Sequence, residues 1–173
     1  MSLKSDIRET KQYKTFKKIR IGVEDKLNME KDRAEALSMH AGRVSRRMHG
    51  NKMYSPRALI EALTNDMSCR SRLVELRVQA SIQIETLQEA IKAFKRFVQT
   101  DYSERLNKRY KTVGQRSAFM ENMITAAMEV EGQGKSLLKL FDDLIADVDK
   151  TSYHLSNMVD VVKLISDKPG KTL

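Results

Sequence analysis

The chain is expected to be all-α, folded as an elongated antiparallel three-helix bundle or coiled-coil rod that runs up, down and up. Three observations predict this. From Met120 to Ile165 an apolar or small residue recurs at every third or fourth position: Met120, Met123, Ala127, Val130, Gly134, Leu137, Phe141, Leu144, Val148, Thr151, Leu155, Met158, Val162 and Ile165. Such a seam marks a long helix packed lengthwise on partner helices. Breakers are scarce, with 7 Gly and 2 Pro in 173 residues, and Pro56 and Pro169 both sit where helices should begin or end. No stretch alternates β-branched residues with turn chemistry, so strand signals are absent.

The first helix is expected over about residues 5–49. Ser5 offers an N-cap oxygen, and Asp6 and Glu9 place negative charge near the positive end of the helix dipole. Its seam reads Tyr13, Phe16, Arg20, Val23, Leu27, Glu30, Ala34, Leu37, Ala41, Val44 and Met48. Gly22 weakens this run by about 1 kcal/mol relative to Ala. Gly50-Asn51 breaks the pattern, and Ser55-Pro56 restarts it as N-cap and N1 proline.

The second helix is expected over about 56–111, with seam positions Leu59, Leu63, Asp66, Arg70, Leu73, Arg77, Ala80, Ile84, Leu87, Ile91, Phe94 and Val98. Its register loosens through Tyr102, Leu106 and Tyr110, placing a kink within Thr100–Glu104. Thr112 and Gln115 make a capping box around Gly114, the second hinge. The third helix follows over about 115–167. Gly132 and Gly134 cost it about 2 kcal/mol of propensity. The seam keeps its phase on both sides, which indicates a kink or a close helix crossing; a loop would reset it. Pro169-Gly170 ends the ordered part, leaving a disordered tail at 168–173.

Folding at the two hinges lays three helices of about 65–80 Å side by side, at 1.5 Å per residue. The whole chain, 1–173, then reads as a single helical domain. The outline resembles spectrin-type and BAR-type helical rods, although no motif assigns the chain to either family, and the core Trp usual in spectrin-like repeats is missing.

The single Cys69 excludes an internal disulfide and a cysteine-based zinc site, which fits a reducing, cytoplasmic setting. No apolar run approaches the roughly 20 residues of a membrane span. Charge is uneven. The formal net charge is +9 and the sequence pI about 9.7, and residues 1–111 hold 25 of the 32 Lys and Arg against 14 of the 23 Asp and Glu.

The cations cluster. Lys11, Lys14, Lys17, Lys18 and Arg20 form one group; Arg43, Arg46, Arg47 and Lys52 a second; Lys92, Lys95 and Arg96 a third; Arg105, Lys108, Arg109, Lys111 and Arg116 a fourth. In the expected hairpin the first and third lie side by side, and the fourth joins them at the same end. With Phe94, Phe97, Tyr102 and Tyr110 interleaved, that end suits nucleic acid, through phosphate contacts and occasional base stacking. The candidate binding residues are Lys11, Lys14, Lys17, Lys18, Lys92, Lys95, Arg96, Arg105, Lys108, Arg109 and Lys111. The plainer alternative is that these side chains solvate the outer helix faces. An anionic membrane surface would attract the same charges, but no stretch pairs a wide apolar face with a basic rim.

Polar residues on the seams pose a separate question. Folding about residue 52 brings Glu30 opposite Arg70 and Arg77, where a buried Arg–Glu–Arg arrangement would fix hairpin register. Exposure to solvent and contact with another subunit are the alternatives.

Motifs for chemistry fail. Gly134-Lys135-Ser136 lacks the earlier glycine of a phosphate loop, since Glu129 stands there, and it has no preceding strand. His40, His49 and His154 are scattered, so no zinc site is expected. Asp142, Asp143, Asp147 and Asp149 lack the glycine turn and terminal Glu of a calcium loop and instead suit a solvated face that pairs with basic neighbours. No metal, cofactor or catalytic residue is assigned.

The expectation is a non-enzymatic, oligomeric protein that coats, packages or otherwise serves DNA or RNA with low sequence specificity. The alternatives are a structural coiled-coil adaptor for other proteins and, third, a BAR-like rod on anionic membranes. Ten Met residues and the apolar groups flanking the seams favour self-association.

Overall fold

The computed structural model describes residues 2–43 and 55–166. The Gly50-Asn51 break, the seam positions Val44 and Met48, Arg46, Arg47 and Lys52, His49, the side chain of Ile165, and the tail at 168–173 lie outside the described residues. Within them every regular element is a helix: α1 (Leu3–Glu9), α2 (Lys11–Leu27), α3 (Met29–Ala41), α4 (Pro56–Asp101), α5 (Ser103–Arg109) and α6 (Val113–Ser166). Among the described residues no strand occurs, and none of these helices is long and apolar enough to cross a membrane.

The expected first helix is three helices. Ser2, and not Ser5, caps α1: its hydroxyl accepts from the Ser5 N–H. Thr10 then ends α1 and starts α2. Its backbone turns extended (φ −65°, ψ 152°), its Oγ1 donates to the Ile7 carbonyl at 2.6 Å, and the same oxygen accepts from the Tyr13 N–H at 3.1 Å. One hydroxyl thus satisfies a terminal acceptor of one helix and a terminal donor of the next. Asn28 breaks the run again, at φ 19° and ψ 58°. The interruption shifts the phase: up to Leu27 the expected seam holds, with Phe16, Val23 and Leu27 buried, but beyond it Ala36 and His40 are buried while Glu30, Ala34 and Leu37 face solvent.

The second run begins as expected. Ser55 Oγ accepts from the Ala58 N–H at 3.2 Å, and Pro56 is the first helical residue. It breaks at Tyr102, inside the expected kink, so that α4 and α5 replace one helix. The capping box before α6 is formed reciprocally, Gln115 N–H to Thr112 Oγ1 at 3.2 Å and Thr112 N–H to Gln115 Oε1 at 3.4 Å.

The α6 helix runs unbroken through Gly132 and Gly134. All its expected seam positions from Met120 to Leu155 are buried except Thr151, which is half-buried. Gly132 faces open space. Gly134 is a close crossing: a Cβ there would lie 2.8 Å from Ile84 Cγ1 and 3.6 Å from Leu27 Cδ1.

The chain packs as two compact units. One comprises residues 1–29 and 79–137, the other 30–78 and 138–173. In the first, Leu3 and Ile7 of α1, Phe16, Val23 and Leu27 of α2, the α4 positions Ile84, Leu87, Ile91, Phe94 and Val98, and the α6 positions from Met120 to Leu137 are buried. Phe16 stacks on Phe94 with ring centroids 4.7 Å apart and planes 9° apart. The second unit contains an apolar cluster of Leu59, Ala62 and Leu155 flanked by Leu63, Val159 and Val162.

Candidate functional site

All eleven candidate cation positions fall in the first unit. At 100° per residue Lys11, Lys14, Lys17 and Lys18 share an arc of about 120° on α2, centred nearly opposite Phe16, Val23 and Leu27. The helix folds as it does because the apolar set recurs on one side, which leaves the lysines in water; all four are exposed. On α4 the same arithmetic places Lys92 and Arg96 opposite buried Phe94, and both are exposed. Lys95 sits to one side, half-buried, near enough to Glu131 to help lower its pKa.

The α2 and α4 helices meet through their apolar faces, Phe16 on Phe94. The lysines of α2 and Lys92 and Arg96 of α4 therefore lie on far faces and are not brought side by side as expected; of the two clusters only Lys11 lines the space between the helices. A cleft of about 410 Å³ has Lys11, Thr15 and Phe16 of α2 on one side and Ala93, Phe94 and Phe97 of α4 on the other. Of the fourth cluster, Arg105 is tied to α1: its Nη2 donates to Asp6 Oδ2 at 2.5 Å and its guanidinium lies 5.8 Å from the Tyr102 ring centre. Arg105 is therefore engaged within the unit. Lys11, Lys14, Lys17, Lys18, Lys92, Arg96, Lys108, Arg109 and Lys111 make no ion pair among the described residues. Of the interleaved aromatics, Phe94 is buried and unavailable for base stacking, and Phe97 packs edge-on against Tyr102. Tyr110 is half-buried beside Phe119, with ring centroids 5.1 Å apart.

Four arginines of the second unit, Arg43, Arg70, Arg72 and Arg77, are paired with carboxylates, whereas its Arg33 and Arg57 make no ion pair among the described residues. Arg43, expected as part of a basic cluster, is fully buried and forms a bidentate pair with equally buried Asp66, Nε to Oδ1 at 2.8 Å and Nη2 to Oδ2 at 2.9 Å. Arg43 Nη1 also reaches Asp147 Oδ2 at 3.2 Å, His40 Nε2 lies 2.7 Å from that same oxygen, and Ser152 Oγ lies 3.4 Å from Asp66 Oδ2. Burial opposes the Arg43 charge, but the Asp66 hydrogen bonds and the Asp66 and Asp147 charges outweigh it and hold the guanidinium above its ordinary pKa. Burial also pushes the neighbouring Cys69 thiol up, against the pull of Arg43.

The Glu30, Arg70 and Arg77 arrangement does not form. Glu30 is exposed; Arg70 pairs with Asp149 at 2.6 Å and Arg77 with Asp142 at 2.5 Å. Each pairing raises the arginine's pKa, chiefly through the carboxylate hydrogen bond. Cys69 and Leu76, one position earlier, take the core places that the seam had given to these arginines. Arg72 bridges Glu35 and Glu75, both at 2.7 Å. Acidic residues of α6 thus pair with basic neighbours, as expected of that face.

No group of His, Cys, Asp and Glu suited to a metal ion occurs among the described residues. The site is a surface of exposed cations. The chain matches no protein-family model, no curated protein and no solved structure.

Proposed function

We propose that this is a non-catalytic nucleic-acid-binding protein whose first unit grips the phosphate backbone with little regard to sequence. One observation carries the reading. Lysines at 11, 14, 17 and 18, with Lys92 and Arg96, stand exposed and unpaired among the described residues, whereas Arg43, Arg70, Arg72 and Arg77 of the second unit are neutralised by carboxylates. Exposed cations without local counter-charge displace condensed counterions when they meet phosphates, and that release supplies most of non-specific affinity. The reading includes an up-down-up bundle as the scaffold for these faces.

Anisotropy titrations with a labelled oligonucleotide over a range of salt test it. Affinity should fall linearly on logarithmic axes. Replacing Lys11, Lys14 and Lys18 together with Gln should flatten the slope by about 0.7–0.9 for each phosphate no longer neutralised and leave the melting temperature unchanged. Absence of binding at 20 mM salt would remove the proposal.

A second reading, assembly with another copy, draws on α4. Ile60, Met67 and Val78 are 56%, 66% and 46% exposed, and with Val74 they fall within about 40° of one another on the helix, away from buried Leu73 and Leu76. An exposed apolar stripe of this kind marks an interaction surface. Sedimentation of the protein and of Met67→Glu distinguishes the two: a dimer dissociated by this change supports assembly, and a monomer in both cases excludes it.

A further inference from the structure

A cleft of about 730 Å³ opens in the first unit between the start of α1, the end of α5 and the first turns of α6. Tyr110 and Phe119 form its aromatic wall, Lys4 and Arg109 supply charge, Gln115 and Asn122 supply amides, and no carboxylate lines it. We propose that it is a base-binding site for single-stranded nucleic acid, with one unpaired base against the Tyr110–Phe119 wall and its phosphates toward Lys4 and Arg109. This rests on the nucleic-acid reading and adds to it a strand preference and a site.

The chemistry fits on three counts. Sequence-tolerant stacking needs an accessible aromatic face, and Tyr110 and Phe119 are half-buried and line a cleft that also holds cations and amides. Phe16 and Phe94 are buried against each other, and the half-buried Tyr13, Phe97 and Tyr102 pack edge-on on Phe94 or on one another. A duplex hides its base faces inside the stack, so only an unpaired base can use such a wall. The cations retain donors: Lys4 donates to Asn122 Oδ1, which leaves two of the three ammonium protons, and Arg109 lies 6.0 Å from the Tyr110 ring centre without an ion pair among the described residues.

The wall is also held in place. The Tyr110 N–H donates to the Leu106 carbonyl at 2.8 Å, and its own carbonyl accepts from Arg116 Nη1 at 3.1 Å. The Thr112–Gln115 capping box fixes the turn that follows. A platform fixed before binding loses little freedom when a base lands on it. The amides of Gln115 and Asn122 present donors and acceptors at its edge, the groups a base edge would meet.

The experiment compares a fluorescein-labelled 20-mer of dT with a 20-base-pair duplex at fixed salt, for the wild type and for Tyr110→Leu and Phe119→Leu, which keep apolar bulk. The wild type should favour the single strand. Either substitution should weaken single-strand binding about tenfold, the size expected when one base loses its stacking partner, while leaving duplex binding and the salt slope unaltered. Photo-crosslinking of a 5-iodouracil 20-mer to the unaltered protein, mapped by peptide mass, gives a readout independent of any folding defect, and the adduct should fall on Tyr110 or Phe119. Equal affinity for strand and duplex, with crosslinks only outside the cleft, would overturn the site while sparing the phosphate-binding reading. Loss of both kinds of binding in the wild type would sink the two together.

Discussion

Gly134 offers a sharp test of how the first unit packs. Two glycines, two residues apart on one helix, should respond oppositely to the same substitution. At either position Ala gains about 1 kcal/mol of helix propensity. At Gly132 nothing lies within 4 Å of the added carbon, so the gain should appear whole, and for a chain of this size about 1 kcal/mol raises the melting temperature by roughly 2–4 °C. At Gly134 the carbon would meet Ile84 Cγ1 at 2.8 Å and Cδ1 at 2.9 Å. Ile84 is 3% exposed, and its β-branch confines χ1 to one favoured rotamer in a helix, so it has little room to yield. Overpacking costs typically 1–3 kcal/mol; after the propensity gain the net is a loss of about 0–2 kcal/mol. Urea denaturation followed by circular dichroism at 222 nm measures both variants. A double-mutant cycle with Ile84→Ala isolates the contact: the truncation should cost less in the Gly134→Ala background, where the new methyl occupies part of the cavity. If Gly134→Ala stabilises as much as Gly132→Ala, and the cycle shows no coupling, the close crossing is wrong.

Three further outcomes are expected. Asp66→Ala removes the buried bidentate partner of Arg43 and leaves it the single contact to Asp147. It should cost up to about 3 kcal/mol, the low end for a broken buried pair, whereas Arg43→Met combined with Asp66→Leu should recover most of that loss; thermal melts compare them, and equal damage in the two would refute the pair as the cause. Cys69 is 6% exposed with its pKa raised, so at pH 8 its alkylation by iodoacetamide should run at least tenfold slower in the native protein than in urea; equal rates would contradict the burial. Glu131 has its pKa lowered, first by the Lys135 hydrogen bond. Its contribution is therefore present above the ordinary carboxylate range and fades as pH falls through the depressed folded value. Glu131→Gln should lose less melting temperature than the wild type between pH 6 and 3.5, by a degree or two at most for a partly exposed pair.

What the sequence revealed and what it hid divide along physical lines. The α6 seam was legible because its period survives two glycines, and helical phase is a geometric constraint that outlasts local propensity. The capping residues Ser55 and Thr112 were legible because side-chain oxygens satisfy the same orphan N–H groups wherever they occur. Thr10 was missed, although it is the same kind of residue, because the polar pattern continues past it and only the extended backbone reveals the break. Asn28 displaced the register of α3 in a way that no downstream residue announces. Arg70 and Arg77 were misplaced because a 3–4 spacing admits either of two adjacent positions; preferring the apolar neighbour, Cys69 or Leu76, would have corrected both. Asp66 on the seam was the available signal for a buried cation, but Arg43 was hidden among the clustered arginines that follow it. The basic stripe on α2 was readable from composition and spacing, whereas Phe119 gave no sign of joining Tyr110, since their proximity depends on how the chain turns before α6.

The Arg43 network also has a consequence for the order in which the chain closes on itself. Arg43 finds Asp66 across 23 residues of sequence and Asp147 across 104. Loop-closure entropy grows as the logarithm of loop length, so the longer closure costs about 1.3 kcal/mol more than the shorter. The Arg43–Asp66 pair is thus the cheaper contact to make first, and a folding chain is expected to neutralise the guanidinium before α6 arrives. Asp147 then completes the shell around a cation already matched by one carboxylate, and His40 meets the second. A nascent chain leaving the ribosome would hold both partners of the first pair long before Asp147 is synthesised, so vectorial synthesis and loop entropy favour the same sequence of events.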